Sequence, residues 1–283
     1  MNYSVLMSVY SKETPQNLRD SMNSILHQTV KTDDLVLVCD GPLGEELDAV
    51  LDEMKAVFGD SLHIIRLPRN GGLGPALNLG MKACRHELVA RMDSDDISYP
   101  DRCERQLAVF SRFPGIDICS GAVEEFVLSP EKIECVRELP EVHEEIYEFA
   151  KTRCPFNHPC IMYKKQAVAA AGGYLPFVLE DYYLWVRMLL NGAKGYNIQE
   201  PLLWMRAGRE MYKRRSGWKY AKGSCELFCF MKNMKMISTF SCIRSCLIRT
   251  GSALAPNFLR EFMYEKMLRK SGDIYIDHSR RGM

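Results

Sequence analysis

The run Asp93-Ser94-Asp95-Asp96 places three carboxylates within four residues, directly after the apolar stretch from Glu87 to Met92. Like charges this close are unfavourable unless a cation or a partner offsets them, and hard divalent cations prefer oxygen donors. A solvated acidic loop or a helix N-cap would need the same residue types. The position at the exit of an apolar strand favours a ligand site over both. A second pair, Glu180-Asp181, opens a stretch in which Leu184, Met188 and Leu189 recur at helical spacing. Acids there suit a helix N-terminus, and a carboxylate within reach of a hydroxyl can also remove its proton. His158 lies in the polar turn Asn157-His158-Pro159, where a structural and a site-lining role are equally compatible with the residue type.

These groups need elements to hold them. Ser4 to Tyr10 is a β-prone run, and Thr14-Pro15 then supplies a cap and a first-turn proline for a helix carrying Leu18, Met22, Ile25 and Leu26. A strand over 35–39 ends at the loop signal Asp40-Gly41-Pro42, and a helix through Leu47, Val50, Leu51 and Met54 follows. Strands over 63–67 and 87–92 flank a helix over 72–84. Alternation of this kind predicts an α/β fold with a Rossmann-like, mostly parallel sheet flanked by helices, and ligands in such sheets bind beyond the carboxyl ends of the strands. Tyr10, Asp40, Asn70 and Asp93 stand at four successive exits on that rim. Further helices are expected over 102–113, 142–152 and 165–171, with a strand over 116–119. The tail from Gly217 reads as two helical stretches broken at Gly251 and Pro256.

Composition excludes several classes. A formal charge of +1 argues against disorder and against wholesale nucleic-acid binding. Charge is nevertheless uneven: residues 206–270 hold about 15 Lys/Arg against about 4 Asp/Glu, leaving the front of the chain acidic. The N-terminus lacks a basic n-region and a long apolar core, which predicts a cytoplasmic protein with reduced thiols, and no apolar run is long enough to span a bilayer. The 11 cysteines include the close pairs Cys154/Cys160, Cys225/Cys229 and Cys242/Cys246. None has CxxC spacing, so packed thiols are expected and structural zinc is not.

The motifs together resemble a family 2 glycosyltransferase of the GT-A fold, of the bacterial polysaccharide-assembly type. They are residues 4–10, 38–42, 70–80, 90–102 and 180–185, in the family's order. The resemblance implies a catalytic nucleotide-sugar-binding domain over 1–217 and a helical, basic C-terminal region over 218–283. It implies Mn²⁺ or Mg²⁺ as cofactor and a nucleoside-diphosphate sugar, with uridine as the base, as donor. Ser8, Val9, Tyr10 and Glu13 would sit at the nucleobase, Asp40 would accept a base N–H, and Asn70 and Gly72 would lie by the nucleotide. Asp93 would contact ribose or base and Asp95 the metal. Asp181 would be the general base of an inverting transfer, oriented or tuned by Glu180. Asp96, His158, Arg206, Arg214 and Arg215 are candidates for diphosphate or acceptor contacts. The acceptor would be a glycan or a lipid-linked molecule, and the basic, apolar tail, including Phe258 to Tyr264, could bring the enzyme to the inner membrane face. Two rivals fit less well. A nucleotidyltransferase would want a glycine-rich loop after the first strand, and a non-catalytic scaffold would tolerate a broken carboxylate set. The stretch 70–78 also fails GxGxxG, which argues against a dinucleotide oxidoreductase.

Overall fold

The computed structural model describes residues 1–207 and 216–255. Its framework is β1 (Tyr3–Val9), α1 (Pro15–Leu26), β2 (Leu35–Cys39), α2 (Glu45–Phe58), β3 (Leu62–Arg66), α3 (Leu73–Ala83) and β4 (Leu88–Asp93). Then follow β5 (Ile97–Ser98), α4 (Arg102–Arg112), β6 (Ile118–Phe126), β7 (Ile133–Arg137), α5 (His143–Ala150), β8 (Met162–Lys164) and α6 (Lys165–Ala170). The described chain closes with α7 (Glu180–Leu190), β9 (Gly195–Arg206), α8 (Gly217–Asn233) and α9 (Thr239–Leu254).

All nine strands join one sheet in the order β3-β2-β1-β4-β8-β6-β9-β5, with β7 beside β6. The first four strands are mutually parallel, and β6 is parallel to β9; the pairings through β8, β7 and β5 are antiparallel. Alternation along the strands sorts side chains between two cores. Val5, Met7 and Val9 of β1, with Leu35, Leu37 and Cys39 of β2, pack with Leu18, Met22, Leu47, Val50 and Phe110 from α1, α2 and α4. Leu6, Val36 and Val38 face the other way, onto Leu77 of α3, Trp185 of α7 and Phe228 of α8. Central strands buried on both faces leave only their ends for chemistry.

Thr14 caps α1 as its type predicts, accepting the Asn17 N–H at 3.2 Å. The C-terminal break falls elsewhere than expected. Gly251 lies inside α9, and Pro256 lies outside the described residues. The chain turns instead after α8: Lys235 takes a left-handed φ of 59°, the Met236 N–H reaches the Met231 carbonyl at 2.9 Å, and the Lys235 N–H reaches that of Lys232 at 3.0 Å. This is a Schellman stop built on lysine where glycine is usual. Ser238 then caps α9 by accepting the Ser241 N–H at 3.1 Å. Leu227, Phe228 and Met231 of α8 are buried in the same core as α7, so this part of the 218–283 region is packed onto the rest of the chain. Among the described residues no helix is long and apolar enough to cross a membrane.

Candidate active site

The predicted rim forms where β1, β2 and β4 end. Asp40 follows β2; its N–H binds the Val9 carbonyl at 2.8 Å, and its two carboxylate oxygens accept the Gly71 and Gly72 N–H groups at 2.7 and 3.0 Å. Asn70 completes the contact by donating to the Asp40 carbonyl at 3.1 Å. Gly41 makes this approach feasible, since its φ is +96° and a Cβ there would stand 2.7 Å from the Asn70 nitrogen. Tyr10 is exposed and Ser8 half-buried beside Asp93, whereas Val9 is fully buried. Strand alternation turns the Val9 side chain into the core, so Val9 could meet a nucleobase only through its backbone. Glu13 ties the start of α1 to the acid loop, accepting from Ser94 Oγ at 2.8 Å and from the Thr14 N–H and Asn17 Nδ2 at 2.8 and 3.0 Å.

The carboxylates of Asp93, Asp95 and Asp96 converge, each contributing an oxygen within 4.8 Å of the others. Each is held differently. Asp93 is gripped by both terminal nitrogens of Arg91, one at 2.7 Å, and its carbonyl accepts Ser21 Oγ from α1 at 2.8 Å. Asp96 is buried and accepts the Arg206 N–H at 2.8 Å. Arg206 also donates its Nε to the Asp95 carbonyl at 3.1 Å and lies 4.7 Å from the centre of the Phe126 ring. Burial, then the charges of Asp93 and Glu13, pushes the Asp95 carboxyl up to about 7; burial, then Asp95 and Asp93, pushes Asp96 well above the usual carboxylate range. Such a cluster stores repulsion that a divalent cation would relieve, and its oxygen donors fit Mg²⁺ or Mn²⁺.

Arg91 was not among the residues singled out from sequence. It sits in the middle of β4 with only 1% of its surface exposed. Burial, the largest single influence, opposes its charge, but Asp93, Tyr174 and Asp96 together outweigh it and the guanidinium is held above its ordinary pKa. Its Nε is buried without a hydrogen-bond partner among the described residues. A signal existed: Arg91 and Asp93 are two apart on one strand and must face the same side. Arg102, also fully buried, clamps the same strand by donating to the Arg91 carbonyl at 2.7 Å.

Glu180 and Asp181 begin α7 on the facing side of the site. The Glu180 carboxyl receives the Gly74 backbone N–H, and a Cβ at Gly74 would stand 2.9 Å from its Oε2, so a larger residue there would push the carboxyl aside. Burial, then the neighbouring Asp181, raises the Glu180 pKa; Arg91 lowers it and Asp93 raises it by smaller amounts. The two acid groups, about ninety residues apart, thus share one electrostatic field. Asp181 accepts the Tyr182 N–H on Oδ1 at 2.7 Å, with Cys154 Sγ 3.9 Å from Oδ2.

His158 does not reach the cluster of acids. It lies against the rings of Tyr174 and Trp185 and shares a 2.9 Å hydrogen bond with the Tyr174 hydroxyl. Burial, and then Arg91, push its pKa well below the ordinary value, which favours the neutral ring. Tyr174, which sequence gave no reason to select, is fixed by reciprocal bonds with Asn78, from Asn78 Nδ2 to its carbonyl at 2.6 Å and from its N–H to Asn78 Oδ1 at 2.8 Å. Arg214 and Arg215 lie outside the described residues, as do Phe258 to Tyr264.

The family model for glycosyl transferase family 2 matches residues 4–168. A Haemophilus influenzae protein described as an uncharacterized glycosyltransferase is 38% identical over 95% of this chain and all (100%) of its own. The amylovoran biosynthesis glycosyltransferase AmsE of Erwinia amylovora is 38% identical over 93% of this chain and 98% of its own. At 35% identity, over 95% of this chain and 97% of the relative, stands the Escherichia coli UDP-Gal:alpha-D-GlcNAc-diphosphoundecaprenol beta-1,3-galactosyltransferase. Among solved structures, S. aureus TarS 1-349 in complex with UDP-GlcNAc superposes with a TM-score of 0.67 at 16% identity, covering 96% of this chain and 77% of TarS 1-349. The Pyrobaculum calidifontis mannosyltransferase PcManGT, in complex with GDP-Man and Mn²⁺, gives 0.64 at 10% identity, over 95% and 82%. The fold is therefore GT-A, as the resemblance of the motifs implied.

Proposed function

The chain belongs to glycosyl transferase family 2 and is a glycosyltransferase; from that premise we propose that it moves a sugar, with inversion, from a UDP-sugar to a lipid-linked glycan during surface-polysaccharide assembly. The observation that carries this reading is the shared field of the two acid groups: the Asp93/Asp95/Asp96 cluster on one side and Glu180-Asp181 at the head of α7 on the other. The name of the E. coli relative supports the finer parts, since it joins a UDP-sugar, a diphosphoundecaprenol-linked acceptor and a β-linked product.

Asp95, flanked by Asp93 and Asp96, would hold Mn²⁺ or Mg²⁺. When bound, the cation supplies charge stabilisation to the departing diphosphate. The residues of the chain do the rest. Asp40, fixed by two backbone N–H groups, presents a rigid carboxylate to a base N–H, with Tyr10 as the exposed ring beside it. Arg206, tethered to the acid loop, offers a planar donor set suited to phosphate oxygens. Asp181 takes the proton from the acceptor hydroxyl as that oxygen bonds to the anomeric carbon and the bond from this carbon to the diphosphate oxygen breaks. Attack from the face opposite the leaving group turns an α-linked donor into a β-linked product.

Asp181→Asn tests the role of the base: transfer should fall by about 10²- to 10⁴-fold with nucleotide affinity unchanged. Retained transfer would remove the residue from that role, and a matching loss of nucleotide affinity would make it a binding group. A lipid-linked acceptor also fits α9, where Phe240, Ile243, Leu247, Ile248 and Leu254 are exposed alongside Arg244. Flotation with anionic vesicles should carry the protein from the cytoplasmic face onto the membrane fraction; its absence would separate the enzyme from the bilayer.

A further inference from the structure

The proposed reaction uses oxygen donors only, yet a second donor set of a different kind lies in the C-terminal helix pair. Cys225 and Cys229 are four apart on α8, and Cys242 and Cys246 are four apart on α9, so each pair occupies one face of its helix. The lysine-built turn between the helices folds those faces together. The Sγ atoms of Cys229, Cys242 and Cys246 all lie within 4.8 Å of one another. Cys225 joins from the next turn: its Sγ lies 4.0 Å from the Cys246 carbonyl, the Cys246 Sγ lies 4.0 Å from the Cys225 carbonyl, and the two thiols interact directly. All four are free thiols.

A tetrahedral thiolate site with Zn–S bonds of about 2.3 Å spaces its sulfurs by roughly 3.8 Å, close to the spacing of Cys229, Cys242 and Cys246; Cys225 would have to swing in from the next turn to complete the set. The surroundings suit the charge. Residues 217–254 carry six Lys/Arg (Lys219, Lys222, Lys232, Lys235, Arg244 and Arg249) against Glu226 as their one acid, which offsets the negative charge that several thiolates bring to a metal. Cys242 is buried and Cys229 exposed, giving an ion both a dry inner ligand and an entrance. Four thiols meeting from two helices exceed what packing by small apolar residues requires.

We propose that Cys229, Cys242 and Cys246, with Cys225 as fourth ligand, form a thiolate site for a soft divalent ion of the Zn²⁺ class that staples α8 to α9. CxxC spacing was the wrong filter for it. On helices the matching spacing is CxxxC, and the pairing of the two halves depends on how the helices pack.

The test uses the full chain, reduced and freed of metal by a chelator, titrated with Co²⁺. A thiolate site gives a sulfur-to-cobalt charge-transfer band with the intense visible bands of tetrahedral Co²⁺, saturating at about one ion per chain and abolished by Zn²⁺. The signal should persist in Asp95→Ala, which separates it from binding at the carboxylates. Cys229→Ser should weaken Zn²⁺ binding by about 100-fold or more, and Cys242→Ser should do the same; Cys229 is exposed, so its variant carries the test if the other fails to fold. Absence of the charge-transfer band would overturn the proposal. So would equal reactivity of the thiols towards a thiol reagent with and without Zn²⁺, or a Cys229–Cys242 disulfide found under the same reducing conditions.

Discussion

The acids at the ends of the parallel strands and the thiols between α8 and α9 are both sets of donors that would repel when ionised, but the molecule holds them in opposite ways. Four of the carboxylates are braced by a group outside the set: Asp93 by Arg91, Asp96 by the Arg206 N–H, Asp40 by Gly71 and Gly72, Glu180 by Gly74. The thiols chiefly meet one another and the backbone of the facing helix. A site that must act on a transient cation and substrate benefits from geometry fixed beforehand. A structural site can let the ion complete the geometry and take part of its folding energy from that event.

Four changes break or sharpen this contrast. Asp95→Ala removes the acid with least bracing and should lower turnover by about 10³-fold or more, measured as sugar transfer at saturating Mn²⁺, while leaving the melting temperature unchanged or raised. Arg91→Met should act on stability as well as rate, because it leaves Asp93 without its buried counter-charge; chemical denaturation should show a loss of about 3 kcal/mol, reduced when Asp93→Asn is added. A loss in the double variant equal to the sum of the losses in Arg91→Met and Asp93→Asn alone would show that the pair is not coupled.

Glu180→Gln probes the same bracing through pH. Because burial and Asp181 raise the Glu180 pKa in the folded state, its contribution to stability is present below the unfolded carboxylate range and is lost as pH rises through the raised value. The amide still accepts the Gly74 N–H, so the variant should melt at least as high as the parent at pH 7 and show a flatter decline between acid and neutral pH. A steeper decline would mean that the carboxylate is stabilising when charged. The smallest effect belongs to the helix pair: Lys235→Gly relieves a left-handed lysine and should add about 0.5–1 kcal/mol in the metal-free protein.

The strands and helices through β4 were legible because their apolar periodicity is strong and their ends carry loop residues. β2, expected over 35–39, spans Leu35–Cys39. The later sheet was harder to see. β5 has two residues, β7 is an amphipathic strand with Glu134 and Arg137, and β9 carries Asn197, Gln199, Glu200 and Pro201 within an otherwise apolar run. Their pairing depends on β6, for which only residues 116–119 looked strand-like and which extends to Phe126. In the site, acids announced themselves by type and spacing. The packing of His158 against Tyr174 and Trp185, the inward turn of Val9 and the bridge from Arg206 to the acid loop depend on contacts between distant segments, which no local pattern carries.

That bridge also bears on where the chain can change length. Arg206 is the last residue of β9 and fastens to the acid loop through both its backbone and its guanidinium. Upstream, the β6–β9 register already slips between Gly121 and Val123, where Ile198, Pro201 and Leu203 are successive partners. A one-residue insertion or deletion between 202 and 206 would turn Arg206 to the opposite face of the sheet and release Asp96. The irregular stretch at 199–200 is the place where β9 can absorb such a change. Descendants of this sequence should therefore gain and lose residues there, or in the surface turns near Ser129, and keep the last five residues of β9 at constant length.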